Sequence, residues 1–314
     1  MVQEVWLHIG TPKSGTSSLQ KHLAAHRDAL AEQGLAYLSP QGRDSANELA
    51  VAWNQNRSAQ VADLAGAINQ AIETRPQPRA LISSEMFYGF APDTMFHLFP
   101  AMRGKPLKVL VYLRRQDRYI EAKFLQKSKN GRFRGTIADY IAKFDGSGSD
   151  YAAELALWQQ EDGVQLIPRI LERGKLTGGD VVSDALQQIG LPAPEPGAEP
   201  DVNVSPGLHR VQLLQAAFRA DIVPPRRLQR ALAVHYPQDP ADRAPILTQQ
   251  ERRAYLAQFS AGNESLRARY HPEYDSLFDT QDLHDPDVET GIPPFTEAQL
   301  LEVTRLLKTM KQLL

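Results

Sequence analysis

A short apolar run followed by a loop of small residues restricts the fold of this chain more than any other feature. The run covers residues 5–9 and predicts a buried strand, and the loop at residues 10–18 contains two glycines and one lysine. A helix is expected to begin near Ser17, because apolar residues recur at helical spacing from Leu19 onward. A strand, a tight loop and a helix in this order form the basic unit of an α/β protein with a parallel sheet.

The loop has the composition of an anion-binding site. Gly15 lets the backbone approach a ligand closely, and the amides of residues 14–18 are expected to point at one place. The helix that follows adds the positive end of its dipole. The alternative is a structural corner, in which glycine and serine only satisfy the turn and cap the helix. A lysine set among glycines and hydroxyl residues favours anion binding.

The two glycines have the spacing of a nucleotide-binding P-loop, but the lysine is displaced. In that motif the lysine directly follows the second glycine, whereas here Thr16 follows Gly15 and the lysine is Lys13. A loop that binds ATP needs its lysine at the start of the helix, where it reaches the terminal phosphates, and a hydroxyl for magnesium. The displacement therefore argues against an ordinary kinase or ATPase.

Strand and helix signals alternate along the first half of the chain, which predicts an α/β fold of three layers. Its centre is expected to be a mostly parallel sheet of about four or five strands, with helices on both faces, as in P-loop proteins. Besides residues 5–9, the predicted strands are 35–38, 79–84, 107–113 and 164–168. The predicted helices are 17–33, 58–74, 117–129, 136–144, 151–160 and 179–189.

The second half of the chain is predicted to be helical, and a change of composition separates it from the first half. Residues 191–206 are rich in proline and predict a linker or a long loop. Capping-box patterns at Thr248 with Glu251 and at Thr296 with Gln299 predict the starts of two helices. We expect one domain over residues 1–314, made of an α/β core (1–190), the proline-rich loop (191–206) and a helical C-terminal part (207–314). The apolar face of the last helix leaves a monomer and a homodimer open.

Composition excludes several classes of function. The chain has 314 residues and no cysteine, which rules out disulfides, a cysteine nucleophile and cysteine-based metal sites. The net charge of −2, from 35 basic and 37 acidic residues, gives no general attraction to nucleic acid or anionic membranes. The eight histidines lack metal-ligand spacing, so no metal is expected. No apolar window approaches a membrane span and no signal peptide is visible, so we expect a soluble, cytoplasmic protein.

Two charged residues follow predicted strands. Arg114 comes after strand 107–113, and Glu85 comes after strand 79–84. Ligands of open α/β folds bind at the carboxyl ends of the strands, so both residues are candidates for one site. Arg114 offers a bidentate cation where a P-loop NTPase would have an acidic metal ligand, and Glu85 offers a general base.

Each of these assignments has a competitor. His8, within the first strand, is the alternative base, although a histidine there is more often a hydrogen-bonded core residue. Glu85 could instead be a surface residue that caps the next turn. For Arg115 and Arg118 we expect surface salt bridges.

The segment Thr11-Pro-Lys-Ser-Gly-Thr-Ser-Ser18 resembles the loop by which sulfotransferases hold the 5'-phosphosulfate of 3'-phosphoadenosine 5'-phosphosulfate (PAPS), the activated sulfate donor. In that family, as here, the lysine lies inside the loop. The resemblance implies that Lys13 contacts the oxygen bridging phosphate and sulfate, and that residues 14–17 bind the 5'-phosphate. The donor-binding residues that it implies are Lys13, Ser14, Gly15, Thr16, Ser17, Ser18 and Arg114.

Arg114 matches the sulfotransferase arginine that binds the 3'-phosphate of PAPS together with a serine eight positions later. That later position holds Ala122, so the serine is missing, and Ser128 or Lys123 are candidates to replace it. Glu85 is placed like the glutamate base of carbohydrate sulfotransferases. Weaker similarity to bacterial sulfotransferases of the carbohydrate-modifying type lies at residues 150–158, 179–186, 189–192 and 203–206.

The resemblance implies a PAPS-dependent sulfotransferase that moves a sulfuryl group to a hydroxyl of an acceptor, with PAP as the other product and no metal. A sugar is favoured over a phenol as the acceptor. Lys13 and Glu85 would be the catalytic residues. Two alternatives stay open, a P-loop kinase acting on a small molecule and a non-catalytic nucleotide-binding module.

Overall fold

The computed structural model of the protein describes residues 1–144, 146, 148–194, 208–219 and 245–285, together with the single positions 296, 298, 301 and 305. This part of the chain forms two compact units that alternate along the sequence. The first contains residues 1–115, 150–194 and 261–278, and the second contains the described residues of 116–149, 208–260 and 279 onward. The single domain over residues 1–314 stays a prediction.

A parallel sheet forms the centre of the first unit. Its strands are β1 (Glu4–His8), β2 (Leu35–Leu38), β3 (Arg79–Ser83), β4 (Leu107–Leu113) and β5 (Val164–Ile170). All five are parallel and run in the order β2-β3-β1-β4-β5. The predicted α/β class is therefore confirmed. Because β1 lies between β3 and β4, the loop after β1 begins between the segments that follow those two strands.

The described helices, in chain order, are α1 (Thr16–Ala25), α2 (Arg27–Glu32), α3 (Asn47–Asn54), α4 (Ser58–Thr74), α5 (Pro92–Leu98), α6 (Gln116–Lys129), α7 (Ile137–Phe144), α8 (Tyr151–Gln160), α9 (Val181–Ile189), α10 (Leu208–Arg219), α11 (Gln249–Ala257) and α12 (Ser260–Tyr270). Helices α6, α7, α10 and α11 belong to the second unit. The others belong to the first unit, α12 from residue 261 onward.

Alternate residues of the strands enter two separate hydrophobic layers, which is why apolar residues predominate at consecutive positions of the strands. Leu7 and Val109 enter one layer, which they share with apolar residues of α3, α4, α5, α8 and α12. Trp6 and Leu110 enter the other layer, with residues of α1, α2 and α9. The sheet is thus covered by helices on both faces, as predicted.

The prediction of one helix over residues 17–33 was wrong. The backbone leaves helical geometry at His26 (φ −111°, ψ 25°), and α2 begins at the next residue. The ring of His26 stacks on that of His22 with 4.2 Å between centroids, and the two helices share the apolar layer on their side of the sheet. Helices α3 and α5 were missed, because eight and seven residues are too few to show a clear helical period.

Strand β5 continues two residues beyond its predicted end and contains Pro168. Proline has no amide hydrogen to donate, so it is tolerated in a sheet mainly on an edge strand. Among the described strands β5 is such an edge, because it pairs with β4 alone. The ring of His271 donates a hydrogen bond from Nε2 to the Pro168 carbonyl (2.8 Å), which satisfies one acceptor of this edge.

The second unit has its own apolar core, which includes Ile120, Phe124, Tyr140 and Tyr255. The predicted capping box at Thr248 is confirmed at the start of α11. The proline-rich loop from residue 195 onward and the last predicted helix, apart from isolated positions, lie outside the described residues. None of the helices in the described part of the chain is long and apolar enough to cross a membrane.

Candidate functional site

The loop between β1 and α1 is bound tightly to β4. The Ile9 amide donates to the Leu110 carbonyl (3.0 Å), and the Tyr112 amide donates to the Gly10 carbonyl (2.7 Å). Both the amide and the hydroxyl of Thr11 donate to the Tyr112 carbonyl, at 3.1 and 2.9 Å. The strand pairing therefore continues past the end of β1, and the buried Thr11 is one of the residues that hold the loop in place.

Three residues of the loop have positive φ angles. Gly10 (φ +116°) packs against Glu85, since a Cβ there would lie 3.2 Å from the Glu85 carbonyl oxygen. Gly15 (φ +79°) packs against α9, since a Cβ there would lie 3.0 Å from a methyl of Val181. Lys13 (φ +69°) has a left-handed backbone that costs about 1–2 kcal/mol for a residue with a side chain. Non-glycine residues in this conformation concentrate at functional sites.

The hydroxyl groups of the loop fall into two sets. The buried Ser14 hydroxyl donates to the Thr11 carbonyl (2.5 Å) and so stabilises the loop itself. Ser17 and Ser18 are half-buried, and their hydroxyls have no hydrogen-bond partner in the described part of the chain. The amides of Thr16 and Ser17, in the first helical turn, likewise lack an acceptor among these residues. These groups and the Lys13 ammonium are suited to an anion.

The structure brings Glu85 against this loop. Glu85 begins a short 3₁₀ turn directly after β3, and the Thr16 hydroxyl donates a hydrogen bond to its Oε2. The preceding residue, Ser84, fixes the turn: its amide donates to the His8 carbonyl (2.9 Å) and its hydroxyl donates to Asn47 Oδ1 (2.7 Å). Glu85 therefore lies at the loop, as expected for a base that acts on a bound ligand.

His8 is a core residue. It is fully buried, with Nδ1 2.7 Å from the Ser83 hydroxyl, to which Gln20 donates at 3.3 Å. Burial lowers the pKa of His8 to about 4, because the charged ring would lose its hydration. Because the neutral ring of His8 is buried away from solvent, it cannot contact a substrate bound at the loop. Glu85 is therefore the better candidate for the base.

His8 should make the stability of the protein depend on pH. Its pKa is lower in the folded state than in the unfolded chain, so the unfolded chain binds the proton more readily. From pH 6.5 down to about 4 we expect a loss of about 3 kcal/mol of unfolding free energy through this residue. Urea unfolding at several pH values, with His8→Gln as the comparison, measures it. Parallel pH profiles for the two proteins would contradict the assignment.

Arg114 follows β4 and contacts the same loop. Its Nη1 donates to the Lys13 carbonyl (2.8 Å), and its own carbonyl accepts a hydrogen bond from the Tyr151 hydroxyl. The carboxyl ends of β1, β3 and β4 thus bring together Lys13, Glu85 and Arg114. Binding of a 3'-phosphate by Arg114 stays a prediction.

The neighbouring arginines differ from each other. Arg115 is only 4% exposed, so the expectation of a surface residue was wrong, because the side chain is covered where the chain leaves the sheet. The salt bridge expected for Arg118 is confirmed by its contact with Asp282 (2.9 Å).

Ala122, which stands where the serine is missing, lies on α6 in the second unit. The two candidates to replace that serine, Ser128 and Lys123, lie on the same helix. Ala122 is buried, and so is Ser128, whose hydroxyl accepts a hydrogen bond from Gln215 (3.0 Å). The Lys123 ammonium lies 5.0 Å from the ring centroid of Tyr119. These contacts give Ser128 and Lys123 a role within their own unit.

Several residues that shape the site were not found from the sequence. Asn47, Tyr151 and Val181 contact the loop or the turns beside it from distant parts of the chain, and Gln20 of α1 contacts Ser83 at the end of β3. No local motif marks them, because each acts through a partner more than 30 positions away. Within the described ranges, no group of three or more histidine or acidic side chains could hold a metal ion.

No protein-family model matches this chain. An Archaeoglobus fulgidus protein described as uncharacterized is 27% identical over 209 residues, which cover 60% of this chain and 53% of that protein. The chain thus spans about half the length of this curated relative. The crystal structure of a sulfotransferase from Alicyclobacillus acidocaldarius has a TM-score of 0.46 and 15% identity, covering 89% of this chain and 98% of its own. Mouse sulfotransferase SULT7A1 complexed with PAP has a TM-score of 0.34 and 15% identity, covering 87% and 85%.

Proposed function

We propose that this protein is a sulfotransferase that moves a sulfuryl group from PAPS to a hydroxyl of an acceptor, with a carbohydrate as the favoured acceptor class. The observation that carries the proposal is the hydrogen bond from the Thr16 hydroxyl to Glu85. It joins a carboxylate to a loop whose lysine and amides suit an anion. A base beside a bound anionic donor is what transfer to a hydroxyl requires.

The loop fits the phosphosulfate end of such a donor. The amides of Thr16 and Ser17 and the hydroxyls of Ser17 and Ser18 supply hydrogen bonds, and Lys13 supplies a positive charge. Gly15 packs closely against Val181, which fixes the position of the first turn of α1. The positive end of the α1 dipole therefore adds to the charge of Lys13.

PAPS supplies a sulfuryl group with a phosphate as its leaving group. During transfer a bond forms from the acceptor oxygen to sulfur, the bond from sulfur to the bridging oxygen breaks, and the acceptor proton passes to Glu85. Lys13 and the loop amides stabilise the charge that develops on the leaving phosphate. Because Oε2 of Glu85 accepts from Thr16, Oε1, which has no hydrogen-bond partner among the described residues, would take the proton.

An ATP-dependent kinase is the alternative within this fold class, and two features count against it. The position of the P-loop lysine is Thr16, a residue that is 3% exposed and whose hydroxyl is hydrogen-bonded to Glu85. Strand β4 is followed by Arg114 and Arg115, whereas a magnesium-dependent NTPase has an acidic ligand at the end of such a strand.

Calorimetry with PAP and with magnesium-ATP, followed by transfer assays from radiolabelled PAPS to a panel of glycans and phenols, tests the proposal. We expect PAP to bind at least about tenfold more tightly than ATP, a preference of about 1.4 kcal/mol, and label to appear in a glycan. Tighter binding of ATP with phosphoryl transfer would identify a kinase. Tight PAP binding without transfer to any acceptor would identify a non-catalytic module.

A further inference from the structure

The hydroxyl and the amide of Thr16 differ in their hydrogen bonding. The residue is almost fully buried, and its hydroxyl donates to the Glu85 carboxylate. A hydroxyl carries a single proton, so this proton is not available to an anion in the loop at the same time. The amide of Thr16 opens α1 and is independent of that bond.

The main chain of Glu85 is fixed, whereas its side chain depends on Thr16. The backbone of Glu85 packs on Gly10, and the adjacent Ser84 is bonded to His8 and Asn47. Within the described ranges, the carboxylate itself has one hydrogen-bond partner, the Thr16 hydroxyl. Without that hydroxyl the side chain of Glu85 would be free to adopt other rotamers.

We propose that the Thr16 hydroxyl positions the Glu85 carboxylate for proton transfer and does not bind the phosphate of the donor. This inference rests on the proposed function and differs from the sulfotransferase resemblance, which places Thr16 among the phosphate ligands. The hydroxyls that serve the phosphate are then Ser17 and Ser18. A catalytic base that is oriented by another group through one atom, with a second atom left to react, is a recurrent arrangement in enzymes.

Two variants of Thr16 and one of its neighbour test the assignment. Thr16→Val keeps the shape of the side chain but removes the hydroxyl, and it should lower kcat about 10- to 100-fold with the PAP dissociation constant within about threefold of wild type. Thr16→Ser restores the hydroxyl and should keep kcat within about threefold. Ser17→Ala is the matched control, and it should weaken PAP binding about three- to tenfold. Thermal melting confirms that each variant is folded.

A double-mutant cycle with Glu85→Gln separates positioning from binding. If Thr16 acts through Glu85, Thr16→Val adds no further loss of kcat once the base is gone. If Thr16→Val instead weakens PAP binding more than about tenfold, and its effect multiplies with that of Glu85→Gln, the inference is overturned and Thr16 is a phosphate ligand.

The wild-type protein distinguishes failure of the inference from failure of the proposed function. Wild type that neither binds PAP nor transfers label overturns the proposed function, and the inference with it, whatever the variants do. Wild type that binds and transfers, with a Thr16→Val variant that behaves like Ser17→Ala, overturns the inference alone. A crystal structure with PAP gives a readout independent of turnover, because Thr16 Oγ1 should stay within hydrogen-bond distance of Glu85 and not of a phosphate oxygen.

Discussion

Replacing Glu85 with glutamine is expected to lower kcat about 10²- to 10⁴-fold and to leave the dissociation constant for PAP within about threefold of wild type. Glutamine has nearly the same shape and still accepts a hydrogen bond from Thr16, so the loop and the turn are retained. It cannot take the acceptor proton at neutral pH. Steady-state transfer from saturating PAPS to a saturating acceptor, together with calorimetry, measures both quantities.

The matched control is Glu73→Gln, which changes an exposed glutamate near the end of α4 and should leave kcat unaltered. Wild-type turnover in Glu85→Gln would show that another group takes the proton. His8 would not be that group, because it is fully buried.

Replacing Lys13 with alanine is expected to lower kcat about 10²- to 10³-fold at saturating acceptor and donor. In the proposed mechanism the ammonium group stabilises the charge developing on the leaving phosphate, and neutral amides would compensate for its loss only in part. The same transfer assay measures the loss. Lys21→Ala, at an exposed position on α1, is the control that should retain activity. Unaltered turnover in Lys13→Ala would remove the loop from the mechanism.

The variant Lys13→Gly separates the effect of losing the charge from the effect of the backbone conformation. Lys13 has φ +69°, a conformation that costs alanine about 1–2 kcal/mol and glycine little. Lys13→Gly should therefore be as inactive as Lys13→Ala but more stable by about 1 kcal/mol. If Lys13→Gly kept wild-type turnover, the loop conformation and not the ammonium group would be what the reaction needs.

Local patterns in the sequence were sufficient to predict the parts of the fold that depend on residues close together in the chain. Strand β4 is buried on both faces, so all of its positions except Lys108 are apolar or aromatic, and its bounds could be predicted directly. Glu85 and Arg114 could be assigned to one edge because parallel strands end on the same side of a sheet. The break at His26 could not be predicted, since the apolar period continues across it while two short helices pack on one layer.

The contacts that give the candidate site its form could not be predicted from the sequence. Thr16 and Glu85 are 69 positions apart, and His8 and Ser83 are 75 apart. Their meeting depends on β1 and β3 being neighbours in the sheet, and a strand pattern does not specify the order of strands. The burial of Arg115 was missed for a related reason, because the last residues of a strand pattern do not indicate which neighbours cover the turn that follows.

The alternation of the two units along the chain has a consequence for synthesis on the ribosome. The core of the first unit includes Leu266, Leu277 and Phe278, so its apolar layer is incomplete until residue 278 has been translated. A nascent chain emerges and folds from its N-terminus. All five strands are translated by residue 170, but the segment that completes this apolar layer follows only at residues 261–278. During that interval the nascent sheet exposes an apolar surface, so premature termination between residues 194 and 261 should yield an aggregation-prone product.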